Sequence, residues 1–310
     1  MDLLREIATD GFPTDYLAAR VHGRRAELLA QRARGRPLQQ LQARSDEAIW
    51  DALLAEFDWL RRQMNPRLRQ DFAPMFTLFV IKTLVLCLRN KAAERQATVE
   101  RLLQHELLAE ELQDAVVSAP DQPAAVAAVV EAVGALQGDA QPLAAAYVDG
   151  GLKGLETRLM RDFLGRVVSA PCHPAVRRFF VSFIDLRNVM TLYKHVRWGF
   201  HDAAAFVPGG TLATARLAGA SERGDTGGLD ACVREMTGEA APAMAASEVA
   251  LESRLLSSVT RRLRAAGRTG DDVELILDYL WSVYVEARNC AVRLHATDVD
   301  AATLERELIA

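Results

Sequence analysis

Two pairs of polar residues stand in apolar surroundings: Asp185 with Asn188, and Glu286 with Asn289. In each the carboxylate precedes the amide by three positions, so on a helix the two side chains lie one turn apart on one face. Around the first pair, Phe179, Phe183, Leu186, Met190 and Tyr193 trace an apolar stripe of helical period, widened by Phe180 and Ile184. A carboxylate in that setting could act as a general base if a reacting group stood beside it. Neither pair brings a His, Ser or Cys partner, and catalysis must also explain why the pair occurs twice. The other reading is a satisfied polar network that fixes helix register, each pair bonding internally, to a neighbouring helix end or to Arg187. Recurrence favours the network.

Other chemical signatures are weaker. Asp271-Asp272-Val273-Glu274 could hold magnesium, as the acidic motifs of isoprenoid synthases do, but only with a second acidic motif facing it, and none is found. Directly after Gly270, these carboxylates suit a helix cap and the positive end of its dipole. His195 and His201 are six apart across a helix end, which is not a metal spacing, so surface or capping roles are expected for the histidines. There is no GxxxxGK[ST] phosphate loop, no HExxH and no GxSxG elbow. Cys87, Cys172, Cys232 and Cys290 lie far apart and read as buried thiols in a reducing compartment. No catalytic residue, cofactor site or metal site is assigned.

The elements that would position these residues are helical throughout. Periodicity predicts helices over 16–31, 46–64, 67–91, 98–117, 123–136, 152–168, 175–198, 247–266, 271–295 and 301–309, with Pro74 a kink or boundary. Pro208-Gly209-Gly210 reads as a turn, and 219–228 as the most loop-like stretch. The fold class is all-α.

An internal repeat orders these helices. Leu155-Glu156-Thr157-Arg158-Leu159 returns as Leu251-Glu252-Ser253-Arg254-Leu255, each followed by a break and a long helix. Those helices carry Arg187-Asn188 and Arg288-Asn289, offset by 288 − 187 = 101 residues. A degenerate third copy ends Leu88-Arg89-Asn90-Lys91. Three pseudo-repeated units of about a hundred residues follow: 1–107, 108–210 and 211–310.

The 310 residues carry a net charge of −4, which gives no sign of a nucleic-acid partner. Charge is unevenly spread: 102–152 contains no Lys or Arg but eight acidic residues, a solvated acidic face or a surface for a basic partner. The start lacks the pattern of a signal peptide. The most apolar run, 76–88, is interrupted by Lys82, so no membrane insertion is expected.

The segment FFVSFIDLRNVMTLYKHVRWG followed by FVPGG resembles the central signature of the C-type subunit family of V/A-type rotary ATPases, whose eukaryotic relative is the d-type subunit of the vacuolar enzyme. The matching residues are Asp185, Asn188, Lys194 and Pro208-Gly209-Gly210. The closing repeat is similar through Glu286, Arg288 and Asn289, and the opening helix through Tyr16, Arg20, Val21, Arg24 and Leu28. The first repeat is eroded, and Cys290 stands where the family more usually has Leu. The resemblance implies a funnel of three helical units with pseudo-threefold symmetry. It also implies a non-catalytic rotor spacer at the cytoplasmic face, joining central-stalk subunits of the D/F type to the membrane rotor ring. Attachment to the membrane would be peripheral, through protein partners. The other class left open is a helical-repeat adaptor with a different protein partner.

Overall fold

A computed structural model of the chain describes residues 3–34, 45–240, 242–296 and 300–309. Among these residues there are thirteen α-helices and no β-strand; the only extended pairings are two isolated bridges, Leu4 with Leu108 and Phe12 with Met64. The fold is all-α. The chain divides into two compact units, one of Met1–Ala19, Gln39–Phe163 and Ala170–Cys172, the other of Arg20–Leu38, Leu164–Ser169 and His173–Ala310. The three-copy division drawn from the repeat is a statement about sequence equivalence and does not follow these contact boundaries.

In the first unit α2 (Asp46–Gln63) and α3 (Pro66–Ala92) form the core. Ser45 caps α2 by accepting the Ala48 N–H, and Asn65 caps α3 by accepting the Leu68 N–H, with Pro66 in the first helical turn. Phe57 meets Phe76 and Phe79 edge-on, at centroid distances of 6.2 and 4.4 Å. Helix α3 runs through Pro74 without ending. It is long and apolar enough to cross a membrane by length and composition, Lys82 notwithstanding. Its most apolar window is 72% buried within the protein, so it is a core helix.

Next come α4 (Gln96–Leu103), α5 (Glu110–Ser118) and α6 (Gln122–Gln137). The single helix expected over 98–117 is two. The backbone between them is diverted into pairing, Leu107 O accepting from Arg5 N at 3.0 Å and Ala109 N donating to Leu3 O at 2.9 Å. Helix α7 (Gln141–Val167) is broken at Gly151, whose φ of 59° suits glycine; the part after the break begins where the helix over 152–168 was expected, and a further helical stretch precedes it.

The second unit is built on α8 (Pro174–Trp198), α11 (Glu248–Thr269) and α12 (Asp272–His295), with α9 (Thr214–Glu222), α10 (Thr226–Thr237) and α13 (Ala301–Glu307) around them. Helix α1 (Thr14–Ala33) contributes to it from Arg20 onward. The stretch 219–228 is mostly helix, not loop. Leu217 and Leu229 are fully buried on α9 and α10, and Asp225 caps α10 by accepting the Gly228 N–H. Tertiary burial has overridden a glycine-rich local preference.

Both units use the same device to satisfy a tryptophan. Trp50 Nε1 donates to Thr83 Oγ1 at 3.1 Å, and Trp281 Nε1 to Thr260 Oγ1 at 2.8 Å. Each threonine hydroxyl then donates to the carbonyl four residues back, so one O–H closes both polar ends. Cys87, Cys232 and Cys290 are buried as expected, but Cys172 is only half-buried.

Candidate functional site

Asp185 and Asn188 lie on the buried face of α8, at 4% and 0% exposure. They do not bond each other. Both grip the segment that follows the helix. Asn188 brackets Val207: its Nδ2 donates to Val207 O, and its Oδ1 accepts from Val207 N, each at 2.8 Å. Asp185 accepts from Thr211 N at 3.0 Å, Thr211 Oγ1 at 2.6 Å and Leu212 N at 3.0 Å. A carboxylate that already accepts from three donors has its lone pairs taken up, which suits an anchor better than a base.

Pro208-Gly209-Gly210 is the turn between these grips. Gly209 has a φ of +100°, and a side chain at Gly210 would collide with the Asp185 carboxylate. Glycine is required at both places for different reasons, backbone conformation at one and close approach at the other.

The second pair divides its labour. Asn289 brackets Ile309, donating to its carbonyl at 2.9 Å and accepting from its N–H at 3.0 Å. The clamp spans 309 − 289 = 20 residues, against 207 − 188 = 19 for its counterpart. Glu286 does not copy Asp185. It pairs with Arg32 at 3.3 Å and Arg293 at 3.7 Å. In the eroded copy, Asn90 Nδ2 donates to Leu86 O within its own helix. So the asparagine clamp recurs twice, while the carboxylates do unrelated work in separate places.

The repeated Leu-Glu-x-Arg-Leu segments place their glutamates against the arginine of an Arg-Asn dipeptide. Glu156 pairs with Arg89 at 2.5 Å, and Glu252 with Arg288 at 3.1 Å. Arg288 also donates to Glu307 O at 3.1 Å, holding the end of α13.

His195 is buried rather than superficial, and its Nδ1 lies 2.8 Å from Ser221 Oγ. Burial pushes its pKa below the ordinary 6.5; Asp202 opposes that and His201 adds to it. His201 Nδ1 meets the Ser221 carbonyl at 3.1 Å, so both histidines tie α9 to the end of α8. His173 caps α8 by accepting the Ala175 N–H, and Asp271 caps α12 by accepting the Glu274 N–H, the role expected of its acidic cluster. Among the described residues no three His, Cys, Asp or Glu side chains converge as a metal site would need.

Sequence reasoning missed Arg25 and Arg32 of α1 and Arg264 of α11. Arg25 Nε meets Asp278 Oδ2 at 2.5 Å with both side chains buried, and Arg32 meets Glu286. The signal was available in part. Arg25 and Arg32 are seven apart, and Asp278 and Glu286 eight, so each set shares a helix face. The pairing itself joins residues about 250 apart in sequence. A cleft of about 530 Å³ also opens along α8, α11 and α12, floored by Phe179, Val259, Leu263 and Leu277 and rimmed by the Arg178–Glu274 pair.

The sequence pattern of the ATP synthase (C/AC39) subunit family matches residues 37–292, more than four fifths of the chain. The chain belongs to this family. The C/AC39 subunits are those of V/A-type ATPases, and membership places the chain in a membrane-associated ATPase complex. No curated protein matches the chain. The asparagine clamps and the Asp185 anchor are thus part of the architecture of an ATP synthase subunit.

Proposed function

We propose that this chain is the non-catalytic rotor spacer of a V/A-type ATPase, joining the central stalk of the soluble sector to the membrane rotor ring. The observation that carries this reading is the family match over residues 37–292. The anchoring supports it. A part that transmits torque must not yield between its two attachment points, and close-packed helices deform little. Here even the irregular segments are pinned, Val207 and Ile309 each held at both backbone atoms by a buried amide. The polar residues singled out by the sequence are consumed as structural bonds, which favours a mechanical role over chemistry.

The two asparagine clamps, alike in span and partner type, also support descent from a repeated unit, and three pseudo-repeated units are our reading of the chain. Its partners are stalk subunits and the ring, reached through protein contacts at the cytoplasmic face. The decisive experiment removes the gene and follows membrane vesicles. ATP hydrolysis by the soluble sector is expected to persist while ATP-driven ion pumping is lost. Full-rate pumping without the chain would discard the spacer and leave a helical adaptor of some other assembly.

A further inference from the structure

Within the second unit a polar seam runs between α1, α11 and α12. Helix α1 supplies Arg25 and Arg32, α12 supplies Asp278, Ser282 and Glu286, and α11 supplies Arg264. The two inner helices are drawn together at this level, because a side chain at Gly267 of α11 would come within 2.7 Å of Asp278 Cβ. With Arg293 of α12, four guanidiniums face two carboxylates, and each carboxylate is already engaged. Asp278 receives Arg25 Nε at 2.5 Å and lies 3.5 Å from Ser282 Oγ, while Glu286 receives Arg32 Nε at 3.3 Å and Arg293 Nη1 at 3.7 Å.

Among the described residues, four buried guanidinium nitrogens of this seam have no acceptor: Arg25 Nη2, Arg32 Nη2, Arg264 Nε and Arg264 Nη2. Arg25 as a whole is only 7% exposed. Unpaired donors on a buried cation are costly, more so on a charged group than a neutral one. The charges also act on one another: burial lowers the Arg264 pKa most, and Arg32 and Arg25 lower it further against the opposing pull of Asp278. The seam keeps a way in, since the Arg32 side chain is 20% and that of Arg293 38% exposed.

We propose that this seam binds a small oxyanion of the phosphate class, accepted by the free edges of Arg264, Arg25 and Arg32. Several donors on planar forks match an acceptor with three or four oxygens better than a carboxylate with two, and an added anion offsets the surplus positive charge. The proposal is independent of the role in torque transmission.

Thermal unfolding of the purified full chain tests it, at constant ionic strength, with sodium phosphate, sodium sulfate or ADP replacing part of the chloride. Phosphate and sulfate are expected to raise Tm, by about 5 °C when the anion reaches about a hundred times its Kd. ADP, too large for a seam between packed helices, leaves Tm unchanged. Arg264→Met is expected to be at least as stable as the parent in chloride, having lost two buried donors without acceptors, and to lose the phosphate response. Should that variant not fold, Arg264→Lys, which keeps the charge but not the fork, serves instead and is expected to weaken phosphate by about tenfold or more. A seam satisfied by hydration alone would show no anion-dependent rise, and that result overturns the proposal. So does an equal rise in parent and variant, or a rise with ADP only.

Discussion

Asp185, Asn188, Glu286 and Asn289 are all engaged in hydrogen bonds or ion pairs. Asn188 and Asn289 each close two hydrogen bonds onto backbone, at residues that are 4% and 2% exposed. Replacing either with leucine strands a buried N–H and C=O together, and we expect a loss of roughly 1–3 kcal/mol in urea unfolding. The reason differs from the one the sequence offered: the orphaned partner is a backbone segment some twenty residues on, not the neighbouring carboxylate. Periodicity could place the amides inside, but it carries no information about which later segment returns to them.

His195 makes a pH prediction. Its folded pKa lies below the ordinary 6.5, so the folded state favours the neutral ring. As pH falls through 6.5, the unfolded chain takes up the proton before the folded chain does. Stability is therefore full above that value and declines as pH drops toward the folded pKa. His195→Gln should flatten this component of the urea midpoint between about pH 7.5 and 5.5. An identical pH slope in parent and variant would contradict it. Among the thiols, Cys172 should react first with a disulfide reagent. Burial pushes Cys87 up to about 12 and Cys290 to about 11, so both should wait for denaturant.

At the scale of elements, the long helices were legible because their stops are chemical. Asp271, read as a cap, accepts the Glu274 N–H, and Ser45, Asn65 and Asp121 cap their helices in the same way. Asp121→Ala, which removes an exposed cap on the Ala124 N–H, should cost about 0.5–2 kcal/mol in thermal or urea unfolding. Two segments were misread for opposite reasons. Residues 98–117 have unbroken helical periodicity, yet the chain leaves the helix to pair with Leu3 and Arg5, a non-local event. Residues 219–228 are rich in glycine and polar residues, yet burial of Leu217, Leu229 and Cys232 holds two helices around a three-residue link. Local composition is a weak prior whenever distant packing supplies more free energy than propensity withholds.

At the scale of the whole molecule, the all-α class and the family's order of motifs were readable in advance, whereas the arginine seam was not. Its members come from three helices, with Arg25 and Asp278 253 positions apart. The chain also lacks any loop motif that cradles a nucleotide's phosphates, and calorimetry should detect no stoichiometric ATP binding. Heat evolved to a one-to-one endpoint would reopen an enzymatic reading. The paired clamps have a further consequence in the time domain. Val207 and Ile309 sit in irregular backbone, where amide protons ordinarily trade with solvent deuterium within seconds to minutes. Held by buried asparagines, they should exchange as slowly as the helix interiors, as two isolated protected sites whose release reports the opening of α8 and α12.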